Sequence, residues 1–380
     1  MIQVPPIIYV HVTARPESPG VRSALEAKVA QAQSTHPKSV GLVLHSSRTR
    51  MQDSDLIRYF RLPGLPRWAI AVLYPIVLGF QLRTRRGLGV LILRADFPNP
   101  LFGILFRKKR FIVLTEHHTR VLEEIATKFG ISSTTLQIWY QSLQRIQDLA
   151  VDGKICVTEE ISVEQGISRP RHISGNALPP GVRHVTGTKK HPLGKTLRIG
   201  MPVSREQPWH GSQRLIESAM DWVKENPALQ IELWLFGAPG PIQRPHDRLK
   251  IHRTEPLEAS SLAAQMARMD MGCSTLALFE QGMQQAAPLK SRFFISQRVP
   301  FIYGYDDPDI PLRCPVALQV SNTPDSIPWA TVQQFLQSVT TKDFASTWDK
   351  LQKKVSAEQK HRELLSFIGS LRNQGPAKVI

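Results

Sequence analysis

Short, almost wholly apolar runs recur along this chain, and segments with helical periodicity lie between them. The opening "MIQVPPIIYVHVTA" reads as a first strand, "GVRSALEAKVAQAQ" (20–33) as a helix and "SVGLVLHSS" (39–47) as a second strand. "LGVLILRAD" (88–96) and "RFIVLTEHH" (110–118) follow as strands, "RVLEEIATKF" (120–129) and "LQIWYQSLQRIQDLA" (136–150) as helices, and "GKICVTEEI" (153–161) as a strand. A strand with no polar face must be covered on both sides. That condition is met in a parallel sheet flanked by helices, so the first half of the chain predicts a Rossmann-like layer structure.

A chain of 380 residues exceeds what one core usually organises, and two domains are expected. The stretch 166–195, rich in Gly, Pro, His and Lys and without periodicity, is the natural linker. The alternation then restarts with strand 196–203, helix 212–225 and strand 231–237, and it continues to helix 327–339. The expected organisation is an N-terminal Rossmann-like domain over 1–185, a second over 196–340, and a helical segment 341–380 packing back on the first. The fold class is α/β, with two doubly wound domains facing across a cleft.

The charge balance, 48 basic against 31 acidic residues, calls for an anionic partner or surface. Between Arg58 and Arg110 stand eleven basic residues (Arg58, Arg61, Arg67, Arg83, Arg85, Arg86, Arg94, Arg107, Lys108, Lys109, Arg110) against Asp96 alone. Inside this patch the apolar run "WAIAVLYPIVLGF" (68–80), broken by Pro75, is shorter than the ~20 residues a spanning helix needs. Two readings follow: an interfacial segment resting on an anionic membrane leaflet, or a buried helix with solvated arginines on its flanks. For nucleic acid only charge speaks, since no zinc spacing, RNA-binding aromatic signature or helix-turn-helix accompanies it.

Cys156, Cys273 and Cys314 are odd in number and far apart, which suggests buried thiols in a reducing compartment. No secretion signal precedes the first strand, so the expected location is cytoplasmic, peripheral at the membrane face if the patch is interfacial. "DSD" (53–55) and "DPD" (307–309) fit an Asp-x-Asp metal pattern but read as turns, and no metal is assigned.

The stretch "SREQPWHGSQRLIE" (204–217) leaves the strand "TLRIGMPV" (196–203) and enters a helix near Ser212. A helix N-terminus offers free N–H groups and the positive end of its dipole, and arginine grips phosphate through paired hydrogen bonds. "LFEQGMQQAAPLKSRFF" (278–294) likewise feeds a helix with Lys290 near its start. Arg205, His210 and Lys290 are therefore expected to converge, with two helix N-termini, on one diphosphate.

These residues resemble the family-four glycosyltransferases, which have the GT-B fold. The likeness rests on the arginine with "HG" five and six residues later, on "VLTEHH" (113–118), on "ICVTEEI" (155–161) before "SGNALPPG" (174–181), on "LWLFG" (233–237) and on 274–310. The last segment is similar to the bacterial branch that works in surface-polysaccharide assembly. The resemblance implies sugar transfer from a nucleotide-diphosphate donor to a lipid-linked or polysaccharide acceptor, with retention and without cofactor or obligatory metal. It implies donor binding by Arg205, His210, Gly211, Gln285, Leu289 and Lys290, and a catalytic histidine, His118 or its neighbour His117, facing the transferred sugar.

The chain also departs from the pattern. The family's Glu-x7-Glu pair falls at Gln285 and Phe293, and neither is an acid. Gln285 retains hydrogen bonding, whereas Phe293 can only stack or exclude. Glu280 supplies an acid if the register is displaced. Beside an active transferase stands the alternative of a degenerate transferase-like binding or scaffold subunit.

Overall fold

The computed structural model describes residues 5–13, 19–45, 53–61, 67–83, 89–95, 97–107, 111–120, 133–166, 168–178, 195–203 and 206–373. Two compact units emerge: residues 1–174 with 357–380, and residues 175–356.

The first unit is built on seven parallel strands in the order β3-β2-β1-β4-β5-β6-β7. They are β1 (Ile7–Thr13), β2 (Val40–His45), β3 (Ile57–Arg61), β4 (Val90–Ala95), β5 (Ile112–His117), β6 (Gly153–Cys156) and β7 (Arg171–Ile173). Successive side chains point to opposite faces, so the apolar runs feed two cores. Ile8, Val10, Leu42, Leu91 and Leu93 meet Tyr74 and Leu78 of α2 (Arg67–Arg83) and Phe102 of α3 (Pro100–Leu105). On the other face Ile7, Tyr9, Val90, Ile92 and Leu114 meet Val29 of α1 (Pro19–Thr35) and Leu364, Ile368 and Leu371 of α11 (Ala357–Asn373), the last described helix. Helices α4 (Ser133–Asp148) and α5 (Glu159–Glu164) complete the unit.

The second unit repeats the plan with β10-β11-β9-β8-β12-β13-β14, parallel except for β10 against β11. Its strands are β8 (Thr196–Pro202), β9 (Gln230–Phe236), β10 (Gln243–His246), β11 (Leu249–Thr254), β12 (Met271–Cys273), β13 (Phe301–Tyr303) and β14 (Ala317–Gln319). Helices α6 (Ser212–Glu225), α7 (Ala259–Met266), α8 (Leu289–Gln297), α9 (Trp329–Thr341) and α10 (Ala345–Lys354) flank them. α6 shows why periodicity is reliable: Leu215, Ala219 and Val223 recur at i+4, all are buried, and they pack on Ile199, Met201, Leu233 and Leu235. Burial of a side chain the size of Leu215 or Val223 contributes about 1.5–3 kcal/mol.

Several local expectations need correction. β3, β7 and β10 lie in polar or Pro-rich sequence and follow from neighbouring strands rather than from pattern. The strand expected over 153–161 stops at Cys156, because Thr158 accepts from the Ile161 N–H and caps a helix instead. Of the helix that carries the apolar run 68–80, α2, Ile70, Tyr74, Leu78 and Leu82 are buried, while Val72, Ile76 and Phe80 are exposed. No described helix is long and apolar enough to cross a membrane. All three cysteines are buried and free. The helix expected over 120–129 lies outside the described residues from 121 onward.

Candidate functional site

The connections run in opposite directions from β8, toward β9 on one side and β12 on the other, so a crevice opens beyond the carboxyl ends of β8 and β12. Two loops meet there. After β8 a single 3-10 turn, Pro208–His210, ends at Gly211 with φ 77°, and α6 begins. The loop after β12 is tied to that turn: the Leu276 N–H donates to the His210 carbonyl at 3.0 Å, and the Ala277 N–H to the Trp209 carbonyl at 3.3 Å. Gly211 is required twice over. Its φ is left-handed, and a Cβ would lie 2.8 Å from Leu276 Cβ and 2.9 Å from the Ala277 nitrogen.

Neither helix that starts at this crevice has a side-chain cap. α6 follows Gly211 and α8 follows Pro288, and neither carries an acid in its first turn. Their first N–H groups keep their capacity for an anion. Lys290, the second residue of α8, places its Nζ in a buried position with no hydrogen-bond partner. Burial pushes its ammonium down to about 8, opposed only by the nearby Cys273. Burial in turn pushes that thiol up to about 12, so Cys273 is uncharged at neutral pH. An unpaired buried ammonium is costly, and an anion placed beside it removes that cost.

His210 faces the same space. Burial and the Lys290 charge push it down to about 3, and its Nδ1 is buried without a partner. Beside Lys290 it is a neutral imidazole that can give or take one hydrogen bond. Glu206, near the start of α6, is held by Ser212 Oγ at 2.6 Å and Arg253 Nη1 at 3.1 Å, which lower its carboxyl.

The remaining expected donor residues divide. Leu289 opens α8, and Gln285 pairs through its backbone with Asp306 just before it. Phe293 is buried in the core, edge-on to Phe294. Glu280 is exposed on a 3-10 turn, Leu278–Gln281. Arg205 lies outside the described residues.

In the first unit, His117 ends β5 and its Nε2 lies 2.9 Å from Thr115 Oγ1, in a small polar pocket that includes Tyr140, Gln144 and Gln165. His118 Nε2 lies 3.1 Å from Glu116, which also pairs with Lys28. Burial, joined by the Lys154 charge, pushes His117 down to about 3, and burial pushes His118 to about 4 against the pull of Glu116. Both are neutral at physiological pH. Of the basic patch, Arg58, Arg61 and Arg83 are exposed. Arg67 opens α2, while Arg85 and Arg86 lie outside the described residues.

Two buried arginines escaped sequence reasoning. Arg214 donates to the Leu276 and Ser321 carbonyls at 2.6 and 3.0 Å and to the Asp325 carbonyl at 2.8 Å, which fixes the start of α6 to its neighbouring loops. Arg292, fully buried, pairs with Asp307 at 2.5 Å and Asp309 at 2.6 Å and donates to the Asn176 carbonyl at 2.8 Å. The "DPD" stretch is therefore the counterion of Arg292. A basic residue on the apolar face of a helix, with acids unassigned elsewhere, was the available signal. Among the described residues no group of three or more His, Cys, Asp or Glu is placed to hold a metal.

The chain matches no protein-family model, and no curated protein matches it. Solved structures do match over nearly its whole length. An OtsA apo structure shares 11% identity at TM-score 0.62, covering 99% of this chain and 100% of its own. An E. coli trehalose-6-phosphate structure bound with UDP-2-fluoro glucose shares 11% at 0.60, covering 96% and 99%. A UDP-forming α,α-trehalose-phosphate synthase from Burkholderia vietnamiensis shares 12% at 0.59, covering 99% of both chains. At such identities the likeness carries the fold, and that fold is GT-B, with two parallel-sheet α/β domains.

Proposed function

We propose that this protein is a glycosyltransferase that moves a sugar, with retention, from a nucleotide-diphosphate donor to a glycan or lipid-linked acceptor. The observation that carries the reading is the buried, unpartnered Lys290 ammonium between two uncapped helix N-termini at the switch point of the second sheet. A diphosphate fits that environment in charge and in hydrogen-bond demand. As the bond between sugar and diphosphate breaks, negative charge grows on the leaving oxygen, and Lys290 with the helix N–H groups stabilises it without reorganising. Arg205 adds a second cationic contact, and neutral His210 adds a hydrogen bond. His118, or its neighbour His117, is the neutral imidazole assigned to the sugar. The family-four assignment rests on the sequence resemblances at 113–118, 174–181 and 274–310.

One structural neighbour holds a UDP-linked sugar, which makes uridine donors the first to try. The test is thermal stabilisation by uridine, guanosine and thymidine diphosphate sugars, repeated with Arg205→Ala and Lys290→Ala. Stabilisation by one donor that both substitutions weaken is expected; none by any donor refutes the reading. A second reading, a binding subunit without turnover, is favoured by Gln285 and Phe293 standing where the family has acids. Acceptor-dependent release of nucleotide that Arg205→Ala abolishes eliminates it.

A further inference from the structure

The loops that follow β13 and β14 in the second unit enclose a cleft of about 360 Å³. Tyr305 and Asp306 come from the first loop, and the chain from Gln319 to Asn322 carries β14 into the second. Gln284 supplies a third wall from the segment that leads toward α8. The volume lies inside the range of about 300–1,000 Å³ common for small-ligand sites. None of Lys290, His210, Gly211 and Gln285 lines the cleft, so it is separate from the crevice beyond β8 and β12. Its walls are tied to one another before any ligand arrives. Gln319 Nε2 donates to the Tyr305 carbonyl at 3.0 Å and to Asp306 Oδ1 at 2.7 Å. Asn322 donates from its amide to the Met283 carbonyl at 2.7 Å and to Gln284 Oε1 at 3.0 Å, and its Oδ1 accepts from the Phe279 N–H at 3.0 Å. The Asp306 N–H donates to the Gln284 carbonyl at 2.8 Å and closes the ring. A site fixed in this way loses little freedom when it binds.

The lining selects its ligand by what it lacks as well as by what it holds. Among the described residues no Lys, Arg or His borders the cleft, so a phosphate would find no counter-charge there and would meet the Asp306 carboxylate. The apolar members, Val320 and Tyr305, are 6% and 1% exposed, which leaves little surface for an acyl chain or a flat aromatic base. The Tyr305 hydroxyl is already bonded to Ser274 Oγ at 2.9 Å. What remains is one carboxylate, three amides and the Ser321 hydroxyl. A carboxylate only accepts, whereas a side-chain amide both donates and accepts, and Asp306 keeps acceptor sites beyond the one that Gln319 uses. Such a mixture answers groups that are donor and acceptor at once, which is the character of the hydroxyls around a sugar ring.

We propose that this cleft is a saccharide site that holds a neutral sugar residue through its hydroxyl groups, with Asp306 as the principal acceptor and the amides of Gln284, Gln319 and Asn322 around it. A divalent cation is a poorer occupant, since one carboxylate is all the charge the cleft offers it. A sugar bound here is gripped by the second unit apart from the diphosphate crevice. The inference is independent of the donor reading, because it uses none of the same residues.

Saturation-transfer difference NMR of the full chain with glucose, galactose, mannose or rhamnose at millimolar concentration tests it. Transfer to the ring protons of at least one of these sugars is expected, unchanged in Lys290→Ala. Asp306→Ala should weaken binding about tenfold or more, the loss that removing a charged hydrogen-bond partner implies. Ser321→Trp, at an exposed position on the rim, should fill the cleft and abolish transfer while the melting temperature stays the same. Absence of transfer from all four sugars overturns the proposal. So does binding that both cleft substitutions leave intact, or binding that Lys290→Ala removes, which would put the sugar in the other crevice.

Discussion

If the Lys290 ammonium is unpaired in the free protein and paired in the complex, binding a diphosphate must take up protons. With its value at about 8 instead of 10.5, Lys290 carries charge in roughly nine-tenths of free molecules at pH 7, half at pH 8 and one-tenth at pH 9. An adjacent diphosphate restores the charged form and keeps it well above pH 9. Proton uptake should therefore rise from about 0.1 per ligand at pH 7 to about 0.5 at pH 8 and about 0.9 at pH 9. The dissociation constant should weaken about tenfold from pH 7 to pH 9, or about 1.4 kcal/mol. For the free protein the direction is opposite. A base whose folded value lies below its unfolded one penalises the fold at lower pH, so the contribution of Lys290 to stability improves between pH 8 and 10.5. Isothermal titration with a nucleotide-diphosphate sugar, in buffers of different ionisation enthalpy, reads the uptake directly. Lys290→Met removes the protein's share and exposes any titration of the ligand itself. Equal uptake by wild type and Lys290→Met would refute the reasoning.

Other substitutions probe how the site is held. Arg292→Met leaves Asp307 and Asp309 buried and uncompensated, so urea unfolding should show a loss of about 3–5 kcal/mol, partly recovered when both acids become Asn. Unchanged stability would show that the buried pairs carry no weight. Gly211→Ala puts a Cβ against Leu276 and Ala277 at a left-handed φ, which should cost about 1–3 kcal/mol and weaken donor binding. A variant as stable and as tightly binding as wild type would mean that the turn is not strained.

Much of the architecture was legible in the chain because its information is local. The bounds of α6 coincide with the expected helix, since Leu215, Ala219 and Val223 carry the period themselves. Parallel sheets followed from strands too apolar to face water, and the carboxyl ends of β8 and β12 became the expected ligand position through connectivity alone. Lys290 and His210 were named from their places at helix starts, and Gly211 from the family resemblance. Edge strands such as β3 and β10 were not legible, because pairing with one neighbour imposes no strong pattern on sequence.

Protonation and partnership were decided only in three dimensions. Whether His210 is charged depends on the water that its neighbours exclude and on the Lys290 ammonium, 80 positions away in the chain. Whether "DPD" binds metal or counters an arginine depends on what lies opposite, and Arg292 lies opposite. Whether Phe293 faces a ligand depends on which side of α8 meets the core. Composition announces apolar residues and arginines between 58 and 110, but it cannot sort inner from outer side chains. Packing does so, turning Tyr74 and Leu78 inward and Ile76 and Phe80 outward on one helix. Periodicity is a property of neighbours in sequence, whereas desolvation and charge pairing belong to neighbours in space.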